Sequence, residues 1–172
     1  MKDKEKDNFH VDMSGRIYEE KTIGIALVRT ETKVHYGCAL KGNLVKFIKR
    51  NLFKKDIYKD SAKLYAICIS LLVKNIKDNI KTLIVCNDED FNIVKKVLDY
   101  LLKNHDFEII NISEFRKRLG RNIGSLADNY ANIYRRKALK FNQRGKGKKL
   151  NVVEVNFGII KQNWKELEKI KL

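Results

Sequence analysis

Three short apolar segments near the N-terminus contain the residue types that favour β-strands. They span residues 9–13 (FHVDM), 22–30 (TIGIALVRT) and 33–40 (KVHYGCAL), and β-branched and aromatic side chains are frequent in them. Only Glu31 and Thr32 separate the second segment from the third, which predicts an antiparallel hairpin. The three strands together are expected to form a meander.

The rest of the chain alternates between helical and strand patterns. Apolar positions recur at helical spacing in residues 42–56, in a stretch that starts near Asp60, in residues 91–104, and from about residue 126 to residue 141. Two continuous apolar runs, 82–86 and 107–112, predict strands within a sheet. Near the C-terminus, residues 150–157 are compatible with another strand and residues 159–172 with a closing helix.

Hairpin-linked strands followed by strand–helix alternation predict an α/β fold with a mixed five-stranded sheet flanked by helices. The expected order is β-β-β-α-β-α-β-α, with a strand–helix addition at the C-terminus. We divide the chain into a disordered charged tail (1–8), one domain (9–142), and a basic linker with a C-terminal extension (143–172). Sheets of this kind bind ligands at the carboxyl ends of their central strands.

Positive charge is concentrated in one part of the chain. The formal net charge is +16, and residues 116–149 hold twelve Lys or Arg against one acidic residue, Asp128. This clustering favours nucleic acid as a partner, ahead of an anionic membrane surface. A generally Lys-rich composition and a basic adaptor for an acidic protein are the alternatives. The longest apolar run, 64–73, is half of the about 20 residues that a membrane-spanning helix needs.

Cysteine usage and the N-terminus bear on the cellular compartment. Cys38, Cys68 and Cys86 lie far apart in apolar surroundings, without the spacing of metal ligands or of a disulfide framework. The charged N-terminal residues lack the apolar core of a signal peptide. Buried free thiols in a reducing, cytoplasmic compartment are the resulting expectation.

Four aspartates are candidates for chemistry at the sheet edge. Asp12 ends the first predicted strand, and Asp88 follows the fourth. If those two strands are parallel neighbours, their ends lie about 5 Å apart, and two carboxylates there would repel each other unless a hard cation such as Mg²⁺ lay between them. Asp60 and Asp128 stand in the first turns of two helices.

Each aspartate also has a purely structural explanation. Asp12 could end a strand before a turn, Asp60 and Asp88 could cap helices, and Asp128 could offset a helix dipole. His10 shares a strand face with Asp12, so it lies either near the carboxylates or in the core.

These motifs resemble those of the ribonuclease H-like superfamily over residues 9–142. The segment VDMSG is similar to that family's opening aspartate followed by small residues, and LIVCNDEDF to its strand that ends in aspartate. The segment LADNYANIYRRKA is similar to its final helix, where alanine follows three residues after the aspartate. One departure stands out: the best register puts Lys63 where the family has glutamate, with Asp60 one turn earlier.

The resemblance implies a Mg²⁺- or Mn²⁺-dependent nuclease that hydrolyses phosphodiester bonds in RNA, RNA–DNA hybrid or branched DNA by a two-metal mechanism. Its catalytic and metal-binding residues would be Asp12, Asp88 and Asp128, with Asp60 as a possible fourth. The departure at Lys63 keeps an alternative open, namely a degenerate member that binds nucleic acid without cleaving it. The sequence gives neither the substrate nor the oligomeric state.

The basic residues around the last predicted helix are the candidate phosphate contacts, and such contacts position a nucleic acid without reading its sequence. Tyr130 and Tyr134, four residues apart, either stack on bases or pack on the sheet. The candidate nucleic-acid-binding residues are Arg116, Lys117, Arg118, Arg121, Arg135, Arg136, Lys137, Lys140 and Arg144.

Overall fold

The computed structural model describes residues 7–77, 79–137 and 150–172. Its five strands form one mixed sheet in the order β3-β2-β1-β4-β5. The β1–β2 and β2–β3 pairs are antiparallel, and the β1–β4 and β4–β5 pairs are parallel. The predicted α/β class with a mixed five-stranded sheet is confirmed. The strands are β1 (Asp7–Ser14), β2 (Ile23–Arg29), β3 (His35–Leu40), β4 (Ile80–Val85) and β5 (Glu108–Asn111).

Helices cover both faces of this sheet. A short 3₁₀ helix, Ile17–Glu19, follows β1. The α-helices of the described residues are α1 (Gly42–Leu52), α2 (Ile57–Lys74), α3 (Phe91–Leu101), α4 (Ile112–Leu119), α5 (Asp128–Lys137) and α6 (Phe157–Leu167). None of the helices in these ranges is both long enough and apolar enough to cross a membrane.

Strand alternation sorts the side chains of β1 onto two faces. Phe9, Val11 and Met13 face the main core, which α2, α3 and α6 complete. His10 and Asp12 face the opposite side, because they pair directly with Val28 and Ala26 of β2. Helices α5 and α4 cover that second side, with α5 lying over β1, β2 and β3. The candidate site is therefore on the α4–α5 side of the sheet.

Two glycines allow α5 to lie close to the sheet. A Cβ at Gly24 would stand 2.2 Å from the carbonyl oxygen of Ala131 and 2.4 Å from the backbone nitrogen of Arg135. At Gly37 it would stand 2.4 Å from the ring of Tyr134. Tyr134 is buried, and its hydroxyl contacts His35 Nδ1 at 2.9 Å, so its packing on the sheet is the alternative that the structure supports.

Several helix boundaries differ from the prediction. Asp56, not Asp60, caps α2 by accepting hydrogen bonds from the backbone N–H groups of Tyr58 and Lys59, so the helix starts earlier than expected. Helix α4 was not predicted, because its eight residues are mostly polar and carry only a few apolar positions. Asn111 caps it by accepting a hydrogen bond from Glu114 N–H.

Both ends of the chain also depart from the prediction. Strand β1 begins at Asp7, inside the predicted tail, and residues 1–6 lie outside the described part. Residues 150–157 do not form the predicted strand: they contribute one isolated bridge, Gly37 to Val152, at the β3 edge, and Asn156 caps α6. The predicted end of the α5 helix near residue 141 and the basic linker fall within residues 138–149, which also lie outside the described part.

We expect Gly24→Ala to destabilise the fold. The added methyl group meets the backbone of α5, which must move away from the sheet, and overpacking of this kind costs about 1–3 kcal/mol. Urea unfolding followed by circular dichroism measures the change. The matched control is Gly124→Ala, where nothing lies within 4 Å of the new atom. Equal unfolding free energies for the two variants would contradict the close approach of α5 to β2.

Candidate functional site

The parallel pairing of β1 with β4 brings Asp12 and Asp88 together. The pairing extends one step beyond β4, where Cys86 N–H donates to the Val11 carbonyl oxygen at 3.1 Å. Asp12 is 7% exposed, and its carboxyl group lies close enough to that of Asp88 to raise the pKa of Asp88. Two neighbouring carboxyl groups favour a proton on one of them, because their negative charges repel each other. The predicted convergence of these two residues at the sheet edge is thus present in the structure.

The environment of Asp88 raises its pKa from 3.8 to about 8. The largest cause is loss of water around the carboxyl group, although the residue keeps an exposed outer surface. The hydrogen bond with Asp12 and the repulsion from its charge raise the pKa further, while the Met13 backbone N–H lowers it. The pair therefore holds a proton near neutral pH that a cation could displace.

Other titratable groups surround the pair. Burial raises the pKa of Glu89 to about 7, and the positive charge of Arg16 opposes that rise. Burial, followed by the charge of nearby Asp12, raises the pKa of the Cys86 thiol, and nearby Ser125 lowers it. Negative charge is thus concentrated at the end of β1 and β4, with one exposed arginine near it.

His10 lies deeper on the same strand face and is fully buried. Neither ring nitrogen has a hydrogen-bond partner among the described residues, and the ring packs edge-on against Phe115 at 5.5 Å between centroids. Burial lowers its pKa to about 4, and the nearby Asp12 partly opposes that shift. His10 is therefore a neutral core residue that adjoins the carboxylates, which combines the two alternatives that the sequence left open.

The structural explanation for Asp88 as a helix cap is wrong. Asp90 caps α3 instead, because its side chain accepts hydrogen bonds from the backbone N–H groups of Asn92 and Ile93. Asp88 is thus not required for the start of α3. Asp12 does accept a hydrogen bond from Met13 N–H at 2.8 Å, yet its strand continues to Ser14.

Asp128 is the first residue of α5 and is exposed. Its neighbour Ala127 is buried in a cluster with Ala26, the residue directly opposite Asp12 on the same face of the sheet. Ser125 lies near enough to Cys86 to lower the pKa of its thiol. Asp128 follows Ser125 by three residues, so the Cα atoms of the two residues lie within about 11 Å of each other. The start of α5 is therefore beside the pair, but no hydrogen bond or charge interaction joins Asp128 to it in the described ranges.

Asp60 points elsewhere. It is 2% exposed, and its two oxygens accept hydrogen bonds from Lys54 N–H at 2.6 Å and from Lys63 Nζ at 2.9 Å. Lys63 in turn lies 5.5 Å from the centroid of the Trp164 ring on α6. Both residues thus face α6, so the register that places Lys63 at the site is wrong.

Tyr65 of α2 lies near enough to the carboxylates for their charges to act on its pKa. It is fully buried, and the charges of Asp88, Asp12 and Glu89 all act to raise its pKa, after burial. Ser61 lies one helical turn before it, and within the described residues neither hydroxyl has a hydrogen-bond partner. Neither residue was predicted as part of the site, and their one signal in the sequence is a pair of hydroxyl side chains four residues apart on an apolar helix.

Intramolecular contacts divide the candidate phosphate-binding residues into two groups. Arg116 donates to the Ile123 carbonyl oxygen at 2.7 Å, and Arg118 is paired with Glu108 and Glu114, so both are already engaged. Arg135 donates to the Thr22 carbonyl oxygen, with its Cζ 3.6 Å from the position of a Cβ on Gly15. Lys140 and Arg144 lie outside the described residues. The remaining four, Lys117, Arg121, Arg136 and Lys137, are exposed.

The donor set at the pair fits a hard cation only in part. Carboxylate oxygens are the ligands that Mg²⁺ and Mn²⁺ prefer, and raised carboxyl pKa values indicate negative charge that lacks compensation. However, nowhere in the described ranges are three or more His, Cys, Asp or Glu side chains arranged to hold a metal ion. A cation at this site would take Asp12 and Asp88 from the protein, and other ligands from water and phosphate.

A scan against protein-family models and searches of curated proteins and of solved structures found no match to this chain.

We expect the carboxyl group of Asp88 to titrate well above the ordinary value of about 4 for aspartate, and Asp12→Asn to lower that pKa. The substitution removes the repulsion, while burial still keeps the pKa above its ordinary value. Carboxyl ¹³C NMR titration measures it. Asp99→Asn, a change to a half-exposed carboxylate on α3, is the control and should leave Asp88 unchanged. Titration of wild-type Asp88 near pH 4 would show that the pair is not formed.

Proposed function

We propose that this protein is a divalent-cation-dependent nuclease that acts on RNA, RNA–DNA hybrid or branched DNA. The observation that carries the proposal is the contact between Asp12 and Asp88 at the adjoining ends of two parallel strands. Two neighbouring carboxyl groups with a raised pKa are suited to bind a cation, because the cation would offset their negative charge. The site lies on the side of the sheet covered by α4 and α5, which carry most of the described candidate phosphate contacts.

The arrangement of strands supports the resemblance to the ribonuclease H-like superfamily. That resemblance needs the first strand and the fourth to be parallel neighbours with an aspartate near the end of each. Strands β1 and β4 are parallel neighbours, Asp12 lies two residues before the end of β1, and Asp88 lies three residues after β4. It also needs an aspartate in the first turn of the last domain helix, where Asp128 begins α5. The proposed membership of that superfamily rests on these two features together.

The protein's own groups have distinct roles in the proposed reaction. Asp12 and Asp88 would hold the cation, and Asp128 would contribute to a second one. Mg²⁺ or Mn²⁺, when bound there, supplies the positive charge that activates water and stabilises the leaving oxygen of a phosphodiester. Arg16 lies near the pair, and Arg135 lies at Gly15. Their positive charges offset the negative charge of the phosphate. Electrostatic attraction to the nucleic-acid backbone, which salt weakens, comes from four exposed residues: Lys117, Arg121, Arg136 and Lys137.

A second candidate is nucleic-acid binding without cleavage. The specific observation in its favour is that Asp60, the acid expected from α2, is occupied by Lys54 and Lys63. The charges of the pair raise the pKa of Tyr65, an α2 residue of the main core that has no carboxylate to offer a cation. A site with two contacting carboxylates and a tyrosine could retain the binding surface after losing one cation.

One assay series tests the two candidates. We expect wild-type protein to cleave at least one of labelled hybrid, duplex, single-stranded and junction substrates with Mg²⁺ or Mn²⁺, and none with chelator. Asp12→Asn should remove cleavage, because the pair can no longer hold the cation, while binding in a filter assay is retained. Asp99→Asn on α3 is the control and should cleave normally.

The possible outcomes of this series are distinct. Chelator-resistant cleavage would overturn the metal-dependent proposal, since the activity would not require a cation. Tight, salt-dependent binding with no turnover on any substrate would favour the second candidate. Absence of both binding and cleavage would sink both candidates.

The pH dependence of Mn²⁺ binding gives a separate test that does not need activity. Because Asp88 holds its proton up to about pH 8, and a cation must displace it, we expect binding to tighten as pH rises from about 6 to about 8.5. Glu89, with a pKa of about 7, adds to this trend, and neutral His10 does not. Titration followed by electron paramagnetic resonance of free Mn²⁺ measures it. Asp88→Asn should bind weakly at every pH, and an unchanged affinity in that variant would contradict the assignment.

A further inference from the structure

A second strongly basic surface lies apart from α4 and α5. Residues 41–59, which cover α1, the connection to α2 and the first residues of α2, hold seven Lys or Arg and one acidic residue, Asp56. Asp56 is used as the cap of α2. We call this the α1–α2 surface, and its exposed cations are Lys41, Lys46, Arg50, Lys54, Lys55 and Lys59.

Acidic residues offset part of this charge, and the charge of Glu20 interacts with Lys46 and Arg50 as well as with Lys49. Lys49 is paired with Glu20 at 2.9 Å, and Lys54 lies 3.3 Å from Glu168. Within the described residues the cations of the α1–α2 surface other than Lys54 make no salt bridge, and they stand at the surface of two consecutive helices. A protein surface that keeps several unpaired cations together raises the local concentration of polyanions.

An exposed aromatic residue stands among the basic residues of the α1–α2 surface. Tyr58 is 71% exposed, the largest exposed fraction among the exposed large hydrophobic residues of the described chain, and it directly precedes Lys59. Its side chain makes no hydrogen bond or ring contact in the described part. Phe47 on α1 is 50% exposed, but its ring packs edge-on against Phe157 of α6. Tyr58 is thus free to receive a planar group from outside.

The α1–α2 surface is at the same end of the sheet as the carboxylate pair. Leu40, the last residue of β3, pairs with Ile23, and Ser14, the last residue of β1, pairs with Gly24, so both strands end at one edge. Strand β4 runs parallel to β1 and starts at the opposite end of the sheet, so α1 and α2 lead the chain from this end to that one. Tyr58 precedes Tyr65, whose pKa the charges of the pair raise, by seven residues, or about 10 Å of helix.

A bridge of contacts connects the two places. Arg16, whose charge interacts with Asp88 and Glu89, lies 5.8 Å from the centroid of the Tyr18 ring. The Tyr18 carbonyl oxygen accepts a hydrogen bond from Lys49 Nζ of α1 at 3.1 Å. The segment that contains the 3₁₀ helix therefore connects the carboxylate pair to α1 through a cationic side chain, Arg16, and an aromatic residue, Tyr18.

We propose that the α1–α2 surface binds a single-stranded segment of nucleic acid, with Lys46, Arg50, Lys55 and Lys59 on phosphates and Tyr58 stacked on a base. Stacking needs a base whose face is open, which a duplex hides within its own stack, so the exposed ring specifies a single strand. The proposal rests on the proposed function only in taking nucleic acid as the ligand. It adds that the substrate carries an unpaired segment beside the cleaved bond.

Binding to a fluorescent single-stranded oligonucleotide, measured in chelator, tests this surface without any cleavage. A variant with Lys46, Arg50, Lys55 and Lys59 all changed to Gln should lose at least about tenfold in affinity, and the slope of log affinity against log salt should fall by up to about 3. The matched control changes four exposed lysines, Lys74, Lys77, Lys81 and Lys96, to Gln. It removes the same charge away from the α1–α2 surface and should retain most of the affinity and the slope.

The tyrosine is tested by two further variants. Tyr58→Ala should weaken binding about fivefold or more with an unchanged salt slope, because a stacking contact carries no charge. Tyr58→Phe keeps the ring and should bind as the wild type does. Since every changed side chain is exposed or partly exposed, circular dichroism should show normal folding for each variant.

Three results would overturn the proposal. One is an equal loss of affinity in the two quadruple variants, which would show a general effect of net charge. Another is unchanged binding after Tyr58→Ala. The third is preferential binding of the wild type to phosphatidylserine vesicles, lost in the α1–α2 variant while oligonucleotide binding persists, which would make this a membrane surface. A chain that lacks nuclease activity but passes these tests would still have the binding surface, so the two proposals fail separately.

Discussion

The parallel pairing of β1 with β4 is the constraint on which the rest of this structure depends. The chain returns from the hairpin strands through α1 and α2, and this crossover sets β4 beside β1 in the same direction. Parallel neighbours end at the same edge, so residues that are 76 positions apart in sequence, Asp12 and Asp88, meet there. An antiparallel β4 would put the second carboxyl group at the opposite end of the sheet.

That pairing also creates an electrostatic problem. Two carboxyl groups in contact, with Glu89 near them, cannot all be ionised in a partly dehydrated place, and the raised pKa values of Asp88 and Glu89 express this. Arg16 supplies only partial relief, because it is exposed and also interacts with Tyr18 and Glu19. Asp128 is a lone acidic residue within a basic segment. The basic residues around it attract a polyanion that an acidic site by itself would repel.

Close packing on the same side of the sheet as the carboxylates fixes the position of α5. Gly24 and Gly37 leave no side chain between strand and helix, and Ala26, Ala127 and Ala131 are small enough to complete the contact. This places the start of α5 beside Cys86 through Ser125. The basic residues of α5 and those of the α1–α2 surface thus both belong to elements that reach the carboxylate edge, which suits a ligand that extends to both sides of it.

The sequence by itself determined the strands, most helices and the residues at strand ends. β-branched runs and a two-residue gap predicted the hairpin, and Asp12 and Asp88 were recognised because a strand pattern stops next to each. Local sequence could not determine which face of α2 meets the sheet edge. The spacing of Asp60 from Leu64, Ile67 and Leu71 correctly predicted a buried carboxylate, but burial against α6 and burial against the site give the same periodicity. Only tertiary packing decided that Lys54 and Lys63 hydrogen-bond to Asp60, with Lys63 over the Trp164 ring, and that Tyr65 lies near the carboxylates. The direction of a helix face depends on neighbours that are distant in sequence.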